Sequence, residues 1–244
     1  LRKIKLALEY DGARYAGWQI QENADTIQQR VEEALGLVLQ EKIRIHGAGR
    51  TDAGVHAQGQ TAHFETRSTL PLRKIRDGAN TYLPPDIIIL RAEEADPDFH
   101  ARYNARSKVY RYLVLLRDVS SPLSHNRACR IAAPLKIKEM RTAARHLAGK
   151  HDFSAFTASG SSVRDMVRTL SRLEISREEE FVTFEFEADG FLYKMVRNIV
   201  GTLLEVGKGK ISAEDVLNIL KSGDRTLAGP TAPACGLYLH RVLY

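Results

Sequence analysis

Ile4, Leu6, Leu8 and Tyr10 alternate with Lys3, Lys5, Ala7 and Glu9, which is the period of a half-buried β-strand. Asp11-Gly12 ends the run. From Ile27 the period lengthens: Ile27, Val31, Ala34, Leu35 and Val38 fall on one helical face, with Asp25 as the expected N-cap. The pattern then predicts strands near 43–48 and 58–66 and a helix from about Pro71 to Tyr82. Pro84-Pro85 breaks the chain before a strand over Ile87–Glu93. The order is β-α-β-β-α-β.

The remainder repeats this order approximately. It predicts a strand at Lys108–Leu116, a helix near Ile137–Ala148, and strands at Val167–Arg177 and Phe181–Ala188. In the last of these Val182, Phe184, Phe186 and Ala188 line one face, against Thr183, Glu185 and Glu187. Helices near Phe191–Val206 and Ala213–Lys221 precede a closing strand at Leu237–Leu243. The expected fold class is α+β, with two similar halves, 1–105 and 106–244, whose mainly antiparallel sheets pack together. Helices are expected on the outer faces and an active-site cleft between the halves.

Composition narrows the partner. The 244 residues carry a net charge of +6, which favours a polyanion. Cys129 and Cys235 form neither a CxxC pair nor a disulfide framework, so a reduced, cytoplasmic protein is the simplest account. No apolar run approaches the roughly 18 residues that span a bilayer, and the start has no signal-peptide pattern. The eight histidines show no HExxH and no zinc spacing with cysteine, and no G-x-S-x-G elbow occurs.

Candidate chemistry concentrates in Gly47-Ala-Gly-Arg-Thr-Asp-Ala-Gly-Val-His-Ala57, a loop between two expected strands. Asp52 is its carboxylate, and Arg50 puts a guanidinium in the same loop. Gly47, Gly49 and Gly54 allow close approach of another molecule to the main chain. Asp before a small residue and Gly is also ordinary turn chemistry, so residue type alone leaves a turn and an acid side by side. His56 beside Asp52 adds a metal-dependent hydrolase to the alternatives.

Two further groups stand out. Phe99-His100-Ala101-Arg102 through Tyr110-Arg111-Tyr112 interleaves cations with aromatics, as a surface for phosphates and a stacked base would. A strand with two core tyrosines explains the same pattern. On the helix expected to open at Asp189-Gly190, Leu192, Met195, Ile199 and Val206 form an apolar stripe. Lys194, Arg197, Asn198 and Gly201 lie opposite, where a solvated face is the default and Gly201 signals close packing. His151-Asp152-Phe153-Ser154 reads as a loop with local side-chain hydrogen bonds.

Together these residues resemble the tRNA pseudouridine synthase A family. The matching blocks are LALEYDGARYAGW (6–18), GRTDAGVHA (49–57), FHARYNARSKVYRY (99–112), ADGFLYKMVRNIVGTLLEVGKG (188–209) and APACGLYL (232–239). They span essentially the whole chain in the family's order, and the 49–57 block is highly specific. The resemblance implies an isomerase that converts uridine to pseudouridine in the anticodon stem-loop of tRNA without metal or organic cofactor. It implies Asp52 as the catalytic carboxylate, Arg197 as its basic partner, Tyr110 as the base-stacking ring and Arg50 as a handler of the flipped nucleotide. It implies a homodimer with tRNA lying across both subunits. A non-catalytic tRNA-binding module is the alternative that positive charge and aromatic–basic interleaving leave open.

Overall fold

A computed structural model describes residues 1–158, 160 and 163–244. The chain forms two compact units, Leu1–Arg106 with Tyr238–Tyr244, and Ser107–Leu237. The closing segment, in the second half by sequence order, therefore counts with the first unit.

The first unit runs β1 (Arg2–Tyr10), α1 (Ile27–Leu39), β2 (His46–Gly47), β3 (His56–Thr66), α2 (Leu72–Tyr82) and β4 (Ile87–Ala95). β1 lies between β3 and β4, antiparallel to both, with Leu6 opposite both Ala62 and Ala92. Ile4, Leu6 and Leu8 are fully buried, as alternation predicts. β10 (Leu237–Leu243) joins β3 in parallel, pairing Tyr238 with His56 and Leu239 with Ala57. Parallel neighbours need a long connection, here everything between them in sequence, so a local pattern could not reveal this pair.

Two local expectations change. Thr26, not Asp25, caps α1, its hydroxyl accepting the Gln29 N–H at 3.4 Å. Asp25 instead grips Arg30 with both carboxylate oxygens, at 2.8 Å each, because an acid that close to a guanidinium gains two charge-assisted bonds rather than one. The strand expected over 43–48 shrinks to His46–Gly47, although Ile43 and Ile45 are buried.

The second unit runs β5 (Ser107–Leu116), β6 (Cys129–Ile131), α3 (Ile137–Arg145), β7 (Gly149–Asp152), β8 (Val167–Glu178), β9 (Phe181–Ala188), α4 (Met195–Gly207) and α5 (Ala213–Ser222). The sheet order is β5-β9-β8-β7, antiparallel, with β6 parallel to β5. β6 and β7 are short additions the sequence pattern did not reveal. Asp152 ends β7, and its carboxylate takes the Ser154 N–H at 2.8 Å and the Ser154 hydroxyl at 2.5 Å. The local side-chain bonds expected there are present, but on a strand end rather than in a plain loop.

α4 departs most from expectation. It starts at Met195 after Lys194 in the left-handed region (φ 58°), not at Asp189-Gly190. Asp189 instead accepts the Thr169 N–H of β8 at 3.0 Å. Every residue of α4 except Arg197 is buried, so the polar face is covered rather than solvated. Its cover is the segment after α5: a Cβ on Gly201 would sit 1.7 Å from the Pro230 carbonyl oxygen, so the segment lies where a side chain would otherwise be. That close approach accounts for a glycine in mid-helix.

Candidate active site

The loop from Ala48 to Val55 joins β2 to β3 and carries Arg50 and Asp52, the first exposed and the second half-buried. Backbone on both sides of Asp52 is held by the segment after β1 in the same unit. The Thr51 carbonyl accepts the Trp18 N–H at 3.0 Å, and Gly54 N–H donates to the Tyr15 carbonyl at 3.3 Å. Asp52 closes a turn by accepting the Val55 N–H at 3.1 Å. The turn expected from Asp-Ala-Gly is therefore real, with Gly54 at φ 76°, and it uses the Asp52 carbonyl.

A buried polar group supports this loop from below. The Tyr10 hydroxyl lies 2.9 Å from the Thr51 hydroxyl, and the Gln60 amide donates to the Gly49 carbonyl at 2.8 Å. Burial pushes the Tyr10 phenol well above its ordinary value, so it stays protonated and able to donate. Gly17, at φ 99°, brings its backbone against Thr51 and Asp52: a Cβ there would stand 2.5 Å from the Thr51 oxygen. The LALEYDGARYAGW block thus acts as the seat of the GRTDAGVHA loop, which neither block reveals alone.

His56, the first residue of β3, is buried, and its ring stacks on Tyr238 with centroids 4.7 Å apart. Its Nδ1 accepts the Gly12 N–H at 3.1 Å and lies 3.1 Å from an Asp11 carboxylate oxygen. These contacts tie His56 to the turn after β1 and give it a structural task.

Tyr110 and Arg197 belong to the second unit. Tyr110 pairs with Phe186 and Tyr112 with Phe184 across β5 and β9, and Arg111 is opposite Glu185 on the other face. Tyr112 is a core residue, its hydroxyl donating to the Pro233 carbonyl at 2.8 Å. Tyr110 is 7% exposed and meets the Phe191 ring edge-on at 4.9 Å. Arg197 projects from the first turn of α4 and donates from Nε to the Ala232 carbonyl at 2.8 Å. Consecutive carbonyls of the APACGLYL block are thus held by the helix and by the strand.

Asn198, placed by sequence on a solvated face, is fully buried. Its amide donates to the Phe156 carbonyl at 2.7 Å, while its oxygen accepts from Thr231 at 2.6 Å and from Arg225 at 3.1 Å. Its neighbour one turn on, Thr202, accepts the Gly229 N–H at 2.9 Å. The mid-helix glycine was the only sequence signal of this network. Burial raises both cysteine thiols above their ordinary value, which keeps them protonated at neutral pH and weak as nucleophiles.

Residues 6–104 and 143–244 match the profile of a family described as tRNA pseudouridine synthase. The chain is 48% identical over 244 residues to tRNA pseudouridine synthase A of Thermoanaerobacter sp. (strain X514), covering 100% of both chains. The enzyme of the same name from Acetivibrio thermocellus is also 48% identical over 244 residues, with 100% of both covered. That from Geobacter sp. (strain M21) is 46% identical over 245 residues, covering 100% of this chain and 99% of the other. Among solved structures, an archaeal box H/ACA sRNP Nop10–Cbf5 complex overlaps at a TM-score of 0.39 and 11% identity, across 92% of this chain and 60% of that one.

Proposed function

The chain belongs to the tRNA pseudouridine synthase family, and on that premise we propose that Asp52 is the carboxylate of its reaction. It isomerises uridine to pseudouridine in tRNA. The reaction breaks the N1–C1′ bond, turns the uracil and joins C5 to C1′, so its atom balance needs no water, oxidant or reductant. A carboxylate serves such a step as covalent or electrostatic partner. The uridine has to leave its stack first, at a cost of a few kcal/mol.

Arg197 is proposed as the basic residue of the reaction, and Arg50 and Tyr110 as groups that hold the extruded nucleotide. A base–aromatic stack worth roughly 1–3 kcal/mol, together with phosphate contacts from a chain of net charge +6, offsets the cost of extrusion. The substrate region is the anticodon arm, and the working form is a cytoplasmic homodimer with tRNA lying across both subunits. The resemblance supports these finer points. The observation that carries the assignment of Asp52 is the loop around it, anchored through Thr51 and Gly54 to the segment after β1 while Asp52 itself is only half-buried.

The test is pseudouridine formation in unmodified tRNA by the wild type and Asp52→Ala. We expect the variant to lose at least about 10²-fold in turnover while still binding tRNA. Full activity in the variant overturns the assignment, and position-resolved mapping of the product identifies the uridines. Binding without conversion by the wild type would favour the RNA-binding module, which no comparison supports.

A further inference from the structure

We propose that the ring of Tyr103, stacked on His100, is a platform for an unpaired base of the substrate tRNA, additional to Tyr110. Tyr103 lies in the turn after β4 and is 76% exposed. An exposed tyrosine ordinarily swings freely, but this ring is held face to face on His100, with centroids 4.2 Å apart and planes 28° from parallel.

His100 is itself locked. Its Nδ1 accepts the N–H groups of Arg102 at 3.1 Å and Tyr103 at 3.3 Å, so that nitrogen carries no proton and the ring cannot turn. The His100 backbone N–H donates to the Asn104 side-chain oxygen at 2.5 Å. Behind it the buried His63 ring meets His100 at 4.6 Å, stacks on His46 at 5.2 Å and touches Phe99 edge-on at 5.9 Å. His63 Nδ1 accepts the Ala101 N–H at 3.1 Å, which ties the turn to β3. The result is a cluster of rings rooted in the sheet and ending in an exposed tyrosine.

The surroundings select the occupant. The Arg102 guanidinium stands over the Tyr103 ring, 5.9 Å from its centre, and Lys3 and Arg102 place positive charge near His100. Burial first, then the charges of His46, Lys3 and Arg102, hold the His100 ring below its ordinary pKa, which favours the neutral ring that stacks as an apolar surface. A flat apolar face beside cations fits a nucleobase with its flanking phosphates. A base within a duplex has both faces covered by its neighbours, so the platform takes a base from a loop or a helix end. A ring fixed before binding loses little freedom when the base arrives.

The proposal rests on the chain acting on tRNA. The experiment compares full-length wild type, Tyr103→Ala and Tyr103→Phe with an unmodified tRNA transcript, reading affinity, KM and kcat. Removing the ring is expected to weaken binding roughly 5- to 50-fold, with the loss in KM rather than kcat, and phenylalanine is expected to restore it. Unchanged affinity in Tyr103→Ala overturns the proposal, as does an equal loss in Tyr103→Phe, which would implicate the hydroxyl. A Tyr103→Ala protein with normal tRNA binding but altered self-association would assign the face to a protein contact and also overturn it. If the wild type forms no pseudouridine, the family reading fails first, and the two failures are told apart.

Discussion

Arg197 and Ala232 are joined twice: Nε of Arg197 donates to the Ala232 carbonyl at 2.8 Å, and the Ala232 N–H donates back to the Arg197 carbonyl at 3.0 Å. The plane of the guanidinium is therefore set by the segment that also packs on Gly201. That segment is clamped in turn by Asn198 through Thr231 and Arg225.

Asn198→Ala should thus act through Arg197. We expect turnover to fall about 10- to 100-fold with a much smaller change in tRNA affinity. In an Arg197→Ala background the same change should add little, since the group being positioned is already gone. Additive losses would mean that Asn198 acts elsewhere. Thr231→Val, which removes one donor and keeps the shape, should show a weaker form of the same split if Asn198→Ala proves too unstable. Arg197→Ala alone should lower turnover more than affinity; the reverse would make it a phosphate contact.

Gly17→Ala should damage the Asp52 loop from outside it. The new methyl would meet the Thr51 oxygen at 2.5 Å, on a backbone with φ 99°. Strain and overpacking together predict a loss of about 2–4 kcal/mol, read from urea unfolding. Activity should fall further than stability explains, because the displaced atoms adjoin Asp52. A variant with wild-type unfolding and turnover would contradict this account of the close approach.

Tyr10→Phe removes one hydroxyl, the partner of Thr51 at 2.9 Å in a buried setting. Leaving the Thr51 hydroxyl without that partner should cost about 1–2 kcal/mol. Turnover is expected to drop several-fold while tRNA affinity holds. Equal stability and turnover would show that the loop does not depend on this bond.

Acid should destabilise the protein through His63. Burial, followed by the charges of His100, His46 and Lys3, lowers its pKa from 6.5 to about 4. The unfolded chain then binds a proton that the folded one refuses, so stability is complete above about pH 6.5 and declines as pH falls towards 4. Between pH 7 and pH 5 the loss should be roughly 2 kcal/mol. His63→Asn keeps an acceptor for the Ala101 N–H and cannot titrate, so its unfolding free energy should vary less over that interval. An identical pH dependence in the variant would remove His63 as the cause.

The sequence by itself determined the longer elements and singled out the loop around Asp52 as the candidate site. Period-two alternation marks β1 and β9 because each strand turns one face to a core, and the apolar stripe marks α1 for the same reason. The block around Asp52 was legible through the family resemblance. What the sequence left open was what lies against each face, since that depends on residues far along the chain. Asn198 reads as a solvated residue until Phe156 and Thr231 close on it, and His46 and His63 become neighbours only when β2 pairs with β3. The return of β10 to β3 is of the same kind. A period reports which side of an element is buried; the partners that satisfy its polar groups are chosen by packing, which only the tertiary structure decides.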